Sequence, residues 1–383
     1  MKKIVFMDDI LFHQIDFKTK GVMLYQKVFN PIIKSVISND TITTFELKND
    51  KDELFDRKKF FSLGNKNILK YRYNSYNIQD FTPQQIEYFS GFFDEDTIVI
   101  GFELYDKFSD FLSQFKCKII DMAYHHYKLF DDLTFGFYSN DIDVYNQLIK
   151  YQIPQDKFEY YANYWKIFME CNGMIQDDDL EENSVLFIGQ TLLDKSVHDS
   201  GKFLNVTDFE EKLKELSKQY SKIYYVPHPY LGKKRKIIYD WVKKSPYIDL
   251  LLNRNTYGLL ASDKVKKVIG ISTSVLYEAQ YFNKEIEYLF KPLFNVDVEF
   301  SNHSYISIVD DYWNPKFWAN ILSPICEVKG NIQDINYFKY NRNMLRNLGN
   351  SYWGYAQLDP IKRIPTIKES IKDLYRQYIA PLF

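Results

Sequence analysis

The sequence predicts an α/β protein of two domains, on three observations. The chain has 383 residues, more than one ordinary hydrophobic core holds. Short apolar runs of strand length alternate with amphipathic stretches, the pattern of a sheet whose strands are joined by helices. A polar, acidic stretch from Asn172 to Asn183 separates two such alternating halves and reads as the interdomain linker. The expected division is an N-terminal Rossmann-like domain over 1–175, a C-terminal one over 176–355, and a terminal helix in 356–383 packing back on the first domain.

The elements follow in order. The N-terminus, Met1 to Asp9, begins with lysines like a signal peptide, but Asp8 and Asp9 interrupt its apolar run, so it reads as a first strand. Thr97–Gly101 reads as a buried strand, Tyr105–Phe115 as a helix and Cys117–Met122 as the next strand. Helices follow near Asp141–Tyr151 and Gln155–Cys171. In the second half Ser184–Gly189 opens a new α/β unit. Thr207 with Glu210 has capping-box spacing, and Phe209, Leu213, Leu216 and Tyr220 keep helical spacing behind it. Strands are expected at Ile223–Val226, Ile248–Leu252, Val268–Ile271 and Ile286–Phe290, with a helix near Lys236–Lys244. Strand, helix and strand in repetition imply a parallel sheet, whose ligands bind at the carboxyl ends of its strands. Thr366–Tyr378 places Ile367, Ile371, Leu374, Tyr375 and Tyr378 on one helical face. It reads as a packing helix in preference to a membrane-surface one.

Composition excludes several classes. Net charge is −2 with Lys and Arg spread along the chain, unlike the basic face of a general nucleic-acid binder. Three cysteines, Cys117, Cys171 and Cys326, are odd in number and far apart, which points to a reducing compartment and no zinc site. No apolar run approaches the roughly 20 residues that span a bilayer, so a cytoplasmic protein is expected. The 32 Tyr and 31 Phe are expected mostly in the core. His125 and His126 are neighbours in a strand, pointing to opposite faces, so a shared metal is not expected. The sequence lacks the Walker, GxGxxG, HExxH, GxSxG and paired CxxC patterns.

Four segments carry candidate chemistry. Two are strand ends. Val226-Pro-His228-Pro229 puts an imidazole after a buried strand, held by a proline that stiffens the turn; it can donate to a phosphate or protonate a leaving group. Ile271-Ser272-Thr273-Ser274 follows the next such strand and opens a helix, where free N–H groups and the dipole favour an anion. A plain N-cap is the alternative. Tyr277 and Glu278 lie one turn on, where Glu278 either holds a ribose or base or faces the dipole. The third segment, Gly189-Gln190-Thr191-Leu-Leu-Asp194, places a glycine and polar groups after a strand with a carboxylate beyond them. Asp194 suits a nucleophile or base there, or the segment is an ordinary loop. The fourth is Asp131-Asp132. Adjacent carboxylates in an apolar setting are costly unless paired, solvated or used. Either acts as a base or binds acceptor hydroxyls, or the pair caps a helix or lies in a solvated turn.

An acidic pair, then His-Pro, then a Ser/Thr cluster resembles, in that order, the motifs of bacterial sialyltransferases, which use CMP-activated sialic acid. Position 133 is Leu where those enzymes carry glycine. A closer resemblance is to the retaining β-Kdo transferases of bacterial surface-polysaccharide assembly. It runs through Gly101-Phe-Glu103-Leu, Ile120-Asp121, Phe130-Asp131-Asp132-Leu-Thr-Phe-Gly-Phe and Gly189-Gln190 with Asp194. It continues through Val226-Pro-His228-Pro229-Tyr230, Ile271 to Ala279 and Tyr352-Trp353-Gly354-Tyr355. The resemblance implies a GT-B fold, two Rossmann-like domains facing a cleft, and transfer of Kdo from CMP-β-Kdo to a saccharide or glycolipid in capsule or lipopolysaccharide synthesis. It implies that Asp194 attacks C2 of the donor and that Gly189, Gln190, His228, Pro229, Ser272, Thr273, Ser274, Tyr277 and Glu278 hold the CMP-sugar. Asp131 or Asp132 activates the acceptor, with Glu103 as a competitor. No metal or other cofactor is implied. Peripheral association with the inner face of the membrane, or with other assembly transferases, fits the family's setting. The alternatives are an inverting sialyltransferase, a GT-B transferase using a UDP- or GDP-sugar, and a non-catalytic assembly scaffold.

Overall fold

Two sheets organise the chain, each with its own core. In the computed structural model they belong to separate units, described over residues 2–10, 20–38, 42–46, 56–64, 81–104, 106–125, 127–175, 177–192, 194–199, 202–231, 235–292, 304–335, 345–348 and 371. Unit 1 comprises Met1–His125, Thr134–Ile153 and Phe294–Arg342; unit 2 comprises His126–Leu133, Pro154–Leu293 and Asn343–Phe383. The chain therefore passes between units at 125/126, 133/134, 153/154, 293/294 and 342/343, not once near 175.

Unit 1 begins with β1 (Lys2–Asp8), α1 (Lys20–Val36), β2 (Ile42–Glu46), α2 (Arg57–Leu63), α3 (Pro83–Ser90), β3 (Thr97–Phe102), α4 (Asp106–Ser113), β4 (Lys118–His125), β5 (Thr134–Ser139) and α5 (Ile142–Ile149). Thr82 and Gln85 close a capping box on α3, with Pro83 at its first position. The strands β2, β1, β3 and β4 are parallel, in that order across the sheet. Antiparallel β5 follows, then a late strand, β13 (Ile306–Val309), antiparallel to β5. The helix α11 (Pro315–Leu322) completes the unit. Much of the aromatic content packs here: Phe89 lies 4.9 Å from Phe111, 5.0 Å from Phe60 and 5.2 Å from Phe93 between ring centres. Such pairs add to the area term of burial.

Unit 2 contains α6 (Gln155–Cys171), β6 (Ser184–Ile188), a short hairpin of β7 (His198–Asp199) and β8 (Lys202–Phe203), α7 (Glu210–Leu216), β9 (Lys222–Val226), α8 (Arg235–Lys244), β10 (Asp249–Leu250), α9 (Thr256–Ala261), β11 (Val265–Gly270), α10 (Val275–Ala279) and β12 (Glu285–Tyr288). Its main sheet runs β10-β9-β6-β11-β12, and every pairing is parallel. Counted from β6, this is the doubly wound order 3-2-1-4-5, with its switch point between β6 and β11. Every residue of β6 is buried, as a parallel strand covered on both faces requires. Val185 and Phe187 on it pack with Leu213, Leu216, Ile223, Ile238, Val242 and Ile269.

Two expectations change. The acidic stretch 172–183 is folded into unit 2 and does not link domains. The Asp177 carboxylate accepts from the Ser262 hydroxyl, its carbonyl accepts from Lys264 Nζ at 2.9 Å, and Leu180 is buried. The Asp177 and Asp179 carboxylates accept from Ser262 and Arg254, while Asp178, Glu181 and Glu182 are exposed. The capping box ahead of α7 is Asn205 with Asp208, two residues before the expected Thr207 and Glu210; Thr207 itself bonds the Asn205 side chain. The expected helix Thr366–Tyr378, Ile371 excepted, and the segment Tyr352–Tyr355 lie outside the described residues.

Candidate functional site

The register of unit 2 sets the site. Ile188 of β6 is paired on one side with Val226 of β9 and on the other with Gly270 of β11. The three following loops therefore leave the sheet side by side at the switch point, carrying Gly189-Gln190, His228-Pro229 and Ser272-Thr273-Ser274. Gly189 is buried, and a Cβ there would lie 2.7 Å from the Tyr225 hydroxyl and 3.1 Å from the Val226 carbonyl, so the turn admits no side chain. Its N–H donates to Val226 O at 2.8 Å.

Gln190 joins two of these loops. Its Oε1 accepts the Ser272 N–H at 2.6 Å and its Nε2 donates to Ser196 Oγ at 3.1 Å. The Ser196 N–H donates to Asp194 Oδ1 at 2.9 Å and Thr191 Oγ1 donates to Oδ2 at 3.2 Å. A continuous hydrogen-bonded run thus leads from the loop after β11 to the Asp194 carboxylate, which stays partly exposed. Thr191 and Ser196, flanking Asp194 in the sequence, were not among the predicted site residues, though their hydroxyls within three residues of a loop carboxylate are a readable signal.

His228 Nδ1 accepts the Tyr230 N–H at 3.1 Å, so the neutral ring carries its proton on Nε2. Burial lowers the imidazole to about 4, against the upward pull of the Asp194 carboxylate. At neutral pH His228 is therefore an uncharged donor, a refinement the sequence does not contain. Pro229 beside it is exposed. In the third loop, Thr273 Oγ1 accepts the Val275 N–H at 3.3 Å, and Ser274, at the N-cap, makes no side-chain capping bond. The helix that follows, α10, has only five residues. Ser272 is 8% exposed and its Oγ is buried without a hydrogen-bond partner. An orphaned buried hydroxyl is costly unless something uses it.

Two predicted ligand contacts, one buried and one half-buried, have partners within the chain. Glu278 is fully buried. Its Oε1 accepts the N–H groups of Lys128 at 2.6 Å and Leu129 at 2.9 Å, and its Oε2 accepts the Tyr257 hydroxyl. Desolvation raises it to about 7, with those hydrogen bonds pulling down. Its acceptor capacity goes to holding the 126–133 segment, leaving it out of reach of a ribose. Tyr277 stacks on Tyr127 with ring centres 4.9 Å apart and 19° between planes.

The acidic pair divides. Asp132 is buried; its Oδ1 accepts from Leu133 N at 2.8 Å and Arg346 N at 2.7 Å, and its Oδ2 from Leu345 N at 3.2 Å. Leu345 and Arg346 open a helical turn, so Asp132 takes the helix-start role that the sequence left as an alternative to catalysis. The Arg346 guanidinium returns bonds to the carbonyls of Tyr127 and Asp132, a contact no local pattern foretells. Asp131 is less buried, with the Tyr161 hydroxyl 3.4 Å from its Oδ2. Both belong to unit 2, with Asp194 and His228. Glu103 belongs to unit 1. It follows β3 with φ +51°, its N–H donates to Met122 O at 2.8 Å, and its Oε1 faces the Tyr124 N–H at 3.4 Å. Among the described residues no three His, Cys, Asp or Glu side chains are grouped to hold a metal, and no helix is long and apolar enough to cross a membrane.

No protein-family model matches the sequence, and neither does any curated protein sequence. Among solved structures the chain is similar to a β-Kdo 2,7 transferase, KpsC of Thermosulfurimonas dismutans. Identity is 11%, with 91% of this chain and 97% of that one covered, at a TM-score of 0.40. It is also similar to the UDP-GlcNAc 2-epimerase of Methanocaldococcus jannaschii, at 13% identity, 87% and 95% coverage and a TM-score of 0.30. These likenesses are distant, and the functional reading rests on the site itself.

Proposed function

We propose that the chain is a glycosyltransferase that transfers an ulosonic sugar from a CMP donor, with CMP-β-Kdo as that donor and a bacterial surface saccharide or glycolipid as acceptor. The observation that carries the reading is the run from Ser272 through Gln190 and Ser196 to Asp194 at the switch point of a doubly wound sheet. A held carboxylate and hydrogen-bond donors suited to a phosphate, at the strand ends where such sheets bind nucleotides, support the reading.

In this reading Asp194 attacks C2 of the sugar as the bond from C2 to the phosphate oxygen breaks, its electron pair leaving with CMP. A carboxylate nucleophile divides one hard displacement into two easier ones. His228 Nε2–H, the unpartnered Ser272 hydroxyl and the Thr273–Ser274 loop take up the charge growing on the phosphate. One such preorganised donor is worth roughly 10²–10³ in rate. A neutral imidazole stabilises that charge without forming an ion pair that would blunt Asp194. An acceptor hydroxyl then attacks C2 from the side opposite Asp194, passing its proton to Asp131, and the bond to Asp194 breaks with overall retention.

Thermal-shift titration with CMP, UDP and GDP tests the donor. Binding at about 100 times Kd stabilises by roughly 2.7 kcal/mol, so CMP is expected to raise the midpoint clearly above the other two. Equal shifts would remove the CMP reading and leave a transferase of another nucleotide-sugar.

A further inference from the structure

The helix α6 carries an exposed aromatic face next to Asp131. Its inner side buries Phe158, Ala162, Trp165 and Met169, and a surface helix normally shows polar side chains opposite such a stripe. Here Tyr160 is 69% exposed, Tyr164 48% and Ile167 61%. They stand at positions i, i+4 and i+7, on one outward side, and cover about 10 Å of the helix axis at roughly 1.5 Å per residue.

Two chains of contacts join this face to the 126–133 segment, all within unit 2. The Tyr160 ring meets Tyr161 edge-on with centres 5.6 Å apart, and the Tyr161 hydroxyl lies 3.4 Å from Asp131 Oδ2. The Tyr164 ring meets Trp165 edge-on at 5.5 Å, and Trp165 Nε1 donates to the carbonyl of Leu129, two residues before Asp131, at 2.8 Å. The outward rings are thus held by neighbours that also fix the segment carrying Asp131.

We propose that Tyr160, Tyr164 and Ile167 form a platform for an uncharged oligosaccharide, the part of the acceptor behind the hydroxyl that reaches Asp131. The role of Asp131 rests on the glycosyltransferase reading; the platform adds the class of acceptor. Tyrosine offers a broad apolar face with a polar tip at low entropic cost. A pyranose matches it, with C–H groups across the ring and hydroxyls around the edge. Exposed Asp156, Glu159 and Glu170 border the stripe. Carboxylates accept strongly from sugar hydroxyls and repel an anionic sugar or lipid headgroup, so the border selects a neutral chain.

Labelled full-length protein on a printed array of neutral and acidic oligosaccharides tests this, with CMP titrated in parallel by thermal shift. The expected result is binding to neutral members, weakened about tenfold in Tyr160→Ala/Tyr164→Ala by the loss of two ring contacts and kept in Tyr160→Phe/Tyr164→Phe. Both side chains are exposed, and a thermal melt verifies that the variants keep the fold. The CMP shift should be the same in all three proteins. No bound neutral oligosaccharide, a preference for acidic ones, or unchanged binding in the double alanine variant would each overturn the proposal. So would a dimer in analytical ultracentrifugation that the double alanine variant dissociates, since the face would then be covered by a second copy. Platform-dependent binding without any CMP shift in the wild type would support the platform and overturn the donor reading.

Discussion

Asp131 and Asp132 are adjacent in the chain but differ in surroundings, and the difference separates stability from chemistry. The buried Asp132 carboxylate accepts three backbone N–H bonds. Asp132→Ala leaves those donors unpaired and is expected to lower stability by about 1–3 kcal/mol or more, seen as a fall in denaturation midpoint. Asp131→Ala is expected to keep the midpoint and lower the acceptor-dependent rate; equal midpoint losses in both variants would contradict this division. The pair was legible in the sequence as a cluster of chemical interest. Its partition was not, because the partners of Asp132 at Leu345 and Arg346 lie more than two hundred residues away and donate through main chain, which no side-chain pattern reports. Glu278 misled for a related reason. Its place one turn after Ser274 suggested a ligand contact, but its partners, Lys128, Leu129 and Tyr257, come from elsewhere in the chain.

At the level of elements, the strands were the most legible part. Val185–Ile188 and Val268–Ile271 are continuous apolar runs because parallel strands in a covered sheet are buried on both faces. Such runs do not reveal which strands are neighbours. The placing of β6 between β9 and β11 is what brings Gly189, His228 and Ser272 to one edge. Gln190 then ties two of these loops, and its removal should act on the site more than on the fold. Gln190→Ala is expected to weaken CMP binding about tenfold, the loss of one or two net hydrogen bonds, measured by calorimetry. Gln190→Glu keeps the acceptor for the Ser272 N–H but sets a negative charge near the phosphate, and should bind CMP still less well. Unchanged affinity in both would detach the bridge from nucleotide binding.

For the whole molecule, His228 and Glu278 of unit 2 act on stability in opposite directions. His228 falls from 6.5 to about 4 on folding, so the unfolded chain binds more protons in that window and stability is lost as pH drops through it. Glu278 rises from 4.5 to about 7, so the folded chain binds more protons there and stability is lost as pH climbs. Between 4.5 and 6.5 the two slopes oppose. Glu278→Gln is expected to leave stability rising with pH across that range, and His228→Asn to leave it falling, with the wild type flatter than either. Urea midpoints across the range check this, and parallel profiles for all three proteins would refute it.

The central claim is that Asp194 forms a bond to the sugar. Intact-mass spectrometry of the protein mixed with CMP-β-Kdo, and separately with CMP-activated sialic acid, tests it most directly. The account predicts a single glycosyl adduct with the first donor, mapped to Asp194 and absent in Asp194→Asn, whose amide oxygen still accepts the Ser196 N–H and whose amide nitrogen donates to the Thr191 hydroxyl. An adduct that persists in Asp194→Asn, or neither adduct nor donor cleavage in the wild type with acceptor present, would contradict it.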